Sequence, residues 1–248
     1  MIGTFLSAIQ FLTVFTRAPS KADEKKMSAA MIYFPVVGAL VGLLLVGIYV
    51  ALSAMDFPPF LIGIIVVVLL AMVTGGMHLD GLADTADALC SGKQRNEMLA
   101  IMRDPHIGAM GTISIVSVIL LKVGLLSMLG TASQALVLVL MCAASRWAAV
   151  LAMFLFPYAR ENGKAKVFIR GINAKIFFIS TFITFLCVFA LGGIPGIAAL
   201  LVVAGCAYMC GTFVSKKIDG ITGDTLGAIV ELSEIVFLFV IFLPKGTR

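Results

Sequence analysis

Charged residues are scarce in this chain. Only 12% of its 248 residues are Asp, Glu, Lys or Arg, whereas 61% are hydrophobic. In a soluble globular domain about a quarter of the residues are charged, so the supply here is too small to coat a water-exposed surface. The scarcity excludes a soluble enzyme, a disordered chain and a nucleic-acid-binding module, and we expect no nucleic acid among the partners.

Three further patterns are missing from the sequence. None of the five cysteines forms a C-x-x-C pair, so there is neither a disulfide framework nor a Cys/His metal cluster. No Walker-type glycine-rich loop occurs, which argues against ATP hydrolysis. The short alternating segments of a transmembrane β-barrel are absent as well.

Long apolar runs dominate the chain instead. Windows of about 20 residues predict an all-α, polytopic transmembrane helical bundle with about seven spans. A short interfacial or half-inserted helix over residues 2–16 precedes them. The predicted spans cover residues 31–53, 60–76, 111–129, 134–157, 176–191, 197–214 and 227–243, with a loop at 192–196. We take residues 1–248 as a single integral-membrane catalytic domain.

The basic residues are distributed unevenly between the loops. Fourteen of the 18 Lys and Arg residues lie in the loops at 17–30, 77–110, 158–175 and 215–226. The opposite loops, at 54–59, 130–133 and 192–196, contain none. Because loops rich in Lys and Arg stay in the cytoplasm, we expect a multi-pass protein of the cytoplasmic (inner) membrane with the four basic loops inside.

The first motif with chemical content is GGMHLDGLADTAD, residues 75–87. Its aspartates Asp80, Asp84 and Asp87 stand at i, i+4 and i+7, which places them on one face of a helix. Their mutual repulsion would be removed by Mg²⁺, which binds carboxylates together with waters and substrate phosphates. We therefore predict a metal site here, with a solvated acidic helix face as the alternative. His78, which interleaves with the aspartates, is a catalytic candidate.

The second motif is DGITGDTLG, residues 219–227, followed by Glu231 and Glu234. Asp224 and the two glutamates share a predicted helix face. A carboxylate inside an apolar span is costly without a partner, so we predict Asp224 and Glu231 as further metal ligands. Glu234 and Thr222 are additional site candidates. The helix dipole offers an alternative explanation for Asp224, but a poor one for the two glutamates.

Cations form the third group of candidates. Arg146 and Lys122 lie inside predicted spans, where an ionisable residue suggests a function. Arg103 and His106 belong to the segment RDPHIG, residues 103–108, near the cytoplasmic surface. We predict that Arg146, Arg103 and Lys122 bind substrate phosphate, with His106 as a further candidate. The alternative for Arg146 is a simple charge pair with one of the buried acids.

A basic loop follows the fourth predicted span. It contains Arg160, Lys164, Lys166, Arg170 and Lys175. Such a loop can bind anionic membrane lipid or steer a phosphate-bearing substrate, and the sequence leaves both roles open.

Carboxylates, Mg²⁺ and cations at one membrane face together indicate phosphoryl transfer. The metal would neutralise a diphosphate and a leaving phosphate, while a carboxylate deprotonates an attacking hydroxyl. The catalytic candidates are Asp84, Asp87, Asp224 and His78. A membrane transporter is the alternative from another class, but the one-sided acids and the lack of evident inverted repeats argue against it.

The motifs GGMHLDGLADTAD, RDPHIGAMG, SRW (residues 145–147) and TGDTLGA (residues 222–228) resemble those of the cobalamin synthase family, the adenosylcobinamide-GDP ribazoletransferases. The resemblance covers nearly the whole chain. It implies transfer of phosphocobinamide from adenosylcobinamide-GDP to α-ribazole or its 5′-phosphate, with release of GMP and with Mg²⁺ as cofactor. The sequence leaves open whether the chain forms a homo-oligomer.

CDP-alcohol phosphotransferases are the nearest alternative among enzymes. They also carry an aspartate-rich helix at the cytoplasmic face. Their pattern D-G-x-x-A-R is not matched here, because Asp80-Gly81-Leu82-Ala83 is followed by Asp84 and not by Arg.

Overall fold

The computed structural model describes residues 2–15, 24–129, 134–161, 163 and 165–243. The described chain is helical and contains no β-strand. Its α-helices are α1 (Ile2–Leu12), α2 (Glu24–Ala30), α3 (Phe34–Ala54), α4 (Pro59–Val73), α5 (Met77–Cys90), α6 (Arg95–Ile101), α7 (Ala109–Leu126), α8 (Val137–Leu155), α9 (Lys166–Gly171), α10 (Ala174–Ile218) and α11 (Gly223–Phe242). The predicted all-α fold is confirmed.

Five helices of the described chain are long and apolar enough to cross a membrane, namely α3 with the residues before it, α7, α8, α10 and α11. Helix α4, with 15 residues, would count as a sixth only together with α5, but this pair is bent by 88°. Because α5 leaves the direction of α4 and carries three aspartates, we treat α5 as lying outside the spans. Helix α1 has 11 residues, about 16 Å at 1.5 Å per residue, and is the short N-terminal helix that the sequence predicts.

Helix α10 is two helices joined at a sharp turn. Its 45 residues would extend about 68 Å, twice the thickness of a bilayer core of about 30 Å. Gly193 breaks the helix with φ 55° and ψ −147°, and Pro195 follows. A Cβ atom on Gly196 would lie 3.0 Å from the carbonyl oxygen of Val188. Two residues that are eight positions apart in the chain come this close only where the helix doubles back. The predicted loop at 192–196 is therefore reduced to a turn. The polytopic bundle is thus confirmed, with an approximate number of spans.

Helix α8 is the centre of the bundle. In its most apolar window 89% of the residues are buried, and it packs against α3, α10 and α11. Small residues on α8, such as Ala143, Ala144 and Ala148, let these neighbours approach closely, which is how helices associate where lipid removes the hydrophobic driving force. Outer helices expose large apolar side chains such as Phe182 and Leu201, as expected of surfaces that face lipid.

The tightest contact of α8 is with α3. Gly38 and Gly42 are spaced as in the G-x-x-x-G motif of membrane helix pairs. A Cβ atom on Gly42 would lie 2.5 Å from both the carbonyl oxygen of Leu138 and the Cα atom of Val139. The two backbones therefore touch at a point where only glycine fits.

Gly42→Ala should destabilise the bundle, because the added methyl group forces α3 away from α8. Overpacking of this kind costs about 1–3 kcal/mol. The matched control is Gly47→Ala on the same helix, where a Cβ atom would meet nothing within 4 Å. Reversible unfolding in mixed detergent micelles measures both, and equal stability of the two variants would contradict the proposed contact.

Candidate active site

The acidic helix α5 begins at a turn made by two glycines. Gly75 and Gly76 have φ values of 63° and 70°, a left-handed conformation that glycine adopts without steric cost. The turn separates α4 from α5 and accommodates the 88° bend between them. As a result α5 packs against α11 and α7 instead of continuing along α4.

Helices α5 and α11 cross at a pair of glycines. A Cβ atom on Gly81 would lie 2.9 Å from the Cα atom of Asp224, and one on Gly227 would lie 3.0 Å from the carbonyl oxygen of His78. Neither position has room for a side chain. This close crossing brings Asp80 and Asp84 of α5 to the first turn of α11, where Asp224 stands.

A capping box fixes the start of α11. The backbone N–H of Thr225 donates to Oγ1 of Thr222 at 3.2 Å, and the backbone N–H of Thr222 donates to Oγ1 of Thr225 at 3.2 Å. Asp224 therefore sits in the first helical turn, where the positive end of the helix dipole favours a carboxylate. Thr222, a site candidate from the sequence, positions this turn and also lies 3.3 Å from Oδ2 of Asp224.

Arg160 reaches the site through a tertiary pairing of two loops. The backbone N–H of Ala159 donates to the carbonyl oxygen of Ile221 at 2.9 Å, and that of Ile221 donates to the carbonyl oxygen of Pro157 at 2.8 Å. This pairing places Nη2 of Arg160 2.8 Å from Oδ2 of Asp224. The sequence showed Arg160 only as part of a basic loop, because no local pattern reveals which distant loop will pair with it.

A cavity of about 570 Å³ lies where these elements meet. Its lining contains acidic, basic and apolar residues. The acidic residues are Asp80, Asp84 and Asp224, and the basic residues are Arg103, Arg146 and Arg160; His78 also lines the cavity. The apolar lining includes Phe11, Phe34, Met153 and Phe168. Six of the residues predicted from the sequence therefore share one cavity.

The three carboxylates of the cavity influence one another. Partial burial, together with the negative charges of Asp80 and Asp224, raises the pKa of Asp84 to about 7. Burial and like charges both disfavour the ionised form of a carboxyl group. A bound divalent cation would reverse this effect.

The fit of Mg²⁺ to this arrangement depends on how many ligands the protein must provide. Within the described parts of the chain, no three His, Cys, Asp or Glu side chains lie close enough to hold a metal ion on their own. Mg²⁺ at phosphate sites takes one or two carboxylates and completes its shell with water and substrate oxygens. The donor set of the cavity therefore fits a metal ion that is shared with a phosphorylated substrate.

A buried ionic network lies beside the cavity. Glu234 of α11 accepts hydrogen bonds from Nζ of Lys122 and Nη1 of Arg146, and Oε2 of Glu231 is 2.6 Å from Nζ of Lys122. All four side chains are buried. The sequence predicted Glu231 as a metal ligand and Lys122 as a phosphate ligand, but the structure pairs them with each other and neither lines the cavity. A charge buried in an apolar bundle is stable only beside an opposite charge.

Arg146 belongs both to the network and to the cavity. Its Nη1 atom contacts Glu234 and Oγ of Ser145, the latter at 2.9 Å. Its Nη2 atom is buried and has no hydrogen-bond partner among the described residues. One nitrogen of the guanidinium is therefore held by the protein, while the other keeps donor capacity that no described residue uses.

Two further residues predicted for the site, Asp87 and His106, also do not line the cavity. Both carboxylate oxygens of Asp87 accept backbone N–H groups at the start of α7, from Gly108 at 2.7 Å and Gly111 at 2.8 Å, so Asp87 caps α7. His106 is 88% exposed, and its Nδ1 atom lies 2.6 Å from Oδ1 of Asp104. The helical spacing that groups Asp87 with Asp80 and Asp84 is correct, but α7 takes up its carboxylate.

Comparison with known proteins finds relatives over the length of the chain. A family model described as cobalamin-5-phosphate synthase matches residues 4–242. A protein of Desulforamulus reducens named adenosylcobinamide-GDP ribazoletransferase is 34% identical over 250 residues, covering 100% of this chain and 99% of its own. Proteins of the same name from Citrobacter koseri and Escherichia coli are each 37% identical, covering 96% of this chain and 97% of theirs. No solved structure matches the chain.

Proposed function

The chain belongs to the cobalamin-5-phosphate synthase family, and from this membership we propose the reaction of its cavity. The protein transfers the phosphocobinamide moiety of adenosylcobinamide-GDP to α-ribazole or its 5′-phosphate and releases GMP. This is the step that assembles the nucleotide loop of cobalamin. The observation that supports the assignment is the meeting of three carboxylates from two helices with Arg146 and Arg160 in one cavity.

The diphosphate of the donor lies among the arginines and carboxylates that line the cavity. Nη2 of Arg146 offers a guanidinium hydrogen bond to a phosphate oxygen. Arg160 already pairs with Asp224 and lies close enough to compensate the charge of a second phosphate group. Mg²⁺, held by Asp80, Asp84 or Asp224 together with substrate oxygens, would neutralise the diphosphate and the departing phosphate.

The chemical step is a substitution at phosphorus. An acceptor hydroxyl oxygen forms a bond to the phosphorus atom that carries cobinamide, and the bond from this atom to the bridging oxygen breaks. The electron pair of that bond leaves with GMP. The hydroxyl proton passes to a carboxylate of the cavity, for which Asp84 and Asp224 are the candidates. Positioned charges of this kind are the main source of catalysis in phosphoryl transfer.

The cavity faces the cytoplasm in this proposal. Three of the basic loops contribute residues to the cavity or to its immediate border. The first contains α5 and α6, the second contains Arg160, and the third leads into α11. Fourteen of the 18 Lys and Arg residues belong to the basic loops, and such loops stay inside the cell. We therefore place the protein in the cytoplasmic membrane with access to soluble nucleotides.

Arg146→Lys should impair the enzyme although it keeps the charge. The lysine ammonium can pair with Glu234, but it lacks the second guanidinium nitrogen, which no described residue engages. We expect kcat/KM for adenosylcobinamide-GDP to fall by about tenfold or more, with normal thermal stability in detergent. The control is Arg170→Lys, since Arg170 lies outside the active-site cavity. Full activity of Arg146→Lys would make Arg146 a charge partner of Glu234 only.

Purified protein should release GMP from adenosylcobinamide-GDP and α-ribazole, and chelation of divalent cations should stop the release. Asp84→Asn and Asp224→Asn preserve size but remove charge, so each should lower turnover by about 10²–10³-fold. The control Asp219→Asn changes an aspartate that is paired with Arg95 outside the cavity and should leave turnover nearly unchanged.

The same assay in sealed vesicles tests the orientation. External adenosylcobinamide-GDP should be used by inside-out vesicles and not by right-side-out vesicles. Near-normal turnover of both aspartate variants would contradict the proposed site, and activity confined to right-side-out vesicles would contradict the orientation.

A further inference from the structure

One part of the active-site cavity has no role in the phosphoryl transfer described above. Three phenylalanines line the cavity, namely Phe11 of α1, Phe34 of α3 and Phe168 of α9. We call them the phenylalanine cluster. These three helices supply none of the carboxylates or arginines of the cavity, so its charged and its aromatic surface come from different parts of the chain.

The rings of the phenylalanine cluster are held against one another. The ring centroid of Phe11 lies 4.4 Å from that of Phe168 and 5.7 Å from that of Phe34, and the centroids of Phe34 and Phe168 are 5.6 Å apart. Aromatic pairs favour such separations. Phe34 and Phe168 are each only 1% exposed, whereas Phe11 is partly exposed. Phe11 is therefore a positioned ring that keeps surface for a further contact.

The methionines of the cavity also suit a flat aromatic group. Met77, Met102 and Met153 belong to its lining. Methionine sulfur makes favourable contacts with aromatic rings, and the flexible side chain adapts to their shape. On α8, Met153 follows Arg146 by seven residues, so both lie on one face of this helix, about 10 Å apart along its axis. The same cavity can therefore hold a charged group at Arg146 and an aromatic group farther along α8.

We propose that the phenylalanine cluster and these methionines form the subsite for the aromatic base of the acceptor. This inference rests on the proposed function. The base of α-ribazole is a benzimidazole with two methyl groups, which is flat, uncharged and apolar along its outer edge. Such a base gains contact area against phenylalanine and methionine and leaves few polar atoms to satisfy.

Two other parts of the substrates are less suited to this surface. The guanine of the donor carries hydrogen-bonding groups along its edge, and burying them against apolar side chains without partners is costly. The corrin ring bears amide side chains and is too large for a cavity of about 570 Å³. The chemistry of the lining therefore favours the acceptor base.

The preference between two acceptors tests the subsite. GMP release is measured with α-ribazole and with the α-riboside of imidazole, which lacks the fused ring, and kcat/KM is compared between wild type and Phe11→Leu. We expect Phe11→Leu to lower kcat/KM for α-ribazole about tenfold, because one base–aromatic contact is lost. The value for the imidazole riboside and KM for adenosylcobinamide-GDP should stay nearly unchanged. The control Phe5→Leu removes a ring of the same helix that packs on Tyr33 with centroids 5.6 Å apart and does not line the cavity, so the ratio should be that of the wild type.

Wild type alone provides a second measurement that does not depend on the folding of a variant. It should prefer α-ribazole over the imidazole riboside by about tenfold or more in kcat/KM, and equal use of the two acceptors would overturn the proposal. An unchanged ratio in Phe11→Leu would overturn it too. A higher KM for adenosylcobinamide-GDP in Phe11→Leu would assign the phenylalanine cluster to the donor instead. Wild-type protein that releases no GMP with α-ribazole would contradict the proposed function itself.

Discussion

The close crossing of α5 and α11 is the constraint on which the site depends. Gly81 and Gly227 leave no room for side chains at the crossing, so the helices approach until Asp80 and Asp84 share a cavity with Asp224. Burial there, together with the neighbouring charges of Asp80 and Asp224, raises the pKa of Asp84. A protein gains no stability from this crowding. Arg160 provides part of the positive charge that offsets the carboxylates, and in the proposed reaction a divalent cation would provide more.

The buried network of Lys122, Arg146, Glu231 and Glu234 supports this site from within the bundle. Two cations and two anions balance in number, and they join α7, α8 and α11. A buried salt bridge contributes little net stability, because removing two charges from water costs about as much as their attraction returns. The role of the network here is to hold Arg146 in position. Glu234 fixes one nitrogen of the Arg146 guanidinium, so that this cavity-lining residue is held at a defined place.

The sequence predicts the features that follow from periodicity and composition. The apolar runs predict the membrane helices, and the spacing of Asp80 and Asp84 predicts their common face on α5. The sequence could not predict in this way which of several possible partners a side chain contacts in the folded protein. A carboxylate such as Asp87 can bind a metal or cap a helix, and only the position of α7 decides. Lys122 and Glu231 are each plausible ligands until the packing of α7 on α11 brings them together. Arg160 joins the site through a pairing of loops about 60 residues apart in the chain.

Binding of a divalent cation is the decisive measurement, because we propose that two helices create one metal site shared with the substrate. Mn²⁺ can serve as the probe, with its affinity measured by electron paramagnetic resonance in the presence of adenosylcobinamide-GDP and the absence of acceptor. We expect Asp84→Asn on α5 and Asp224→Asn on α11 each to weaken Mn²⁺ binding about tenfold or more, equivalent to ~1.4 kcal/mol. The control variant Asp219→Asn should bind Mn²⁺ with the affinity of the wild type. Wild-type affinity in either cavity variant would contradict a metal site built between α5 and α11.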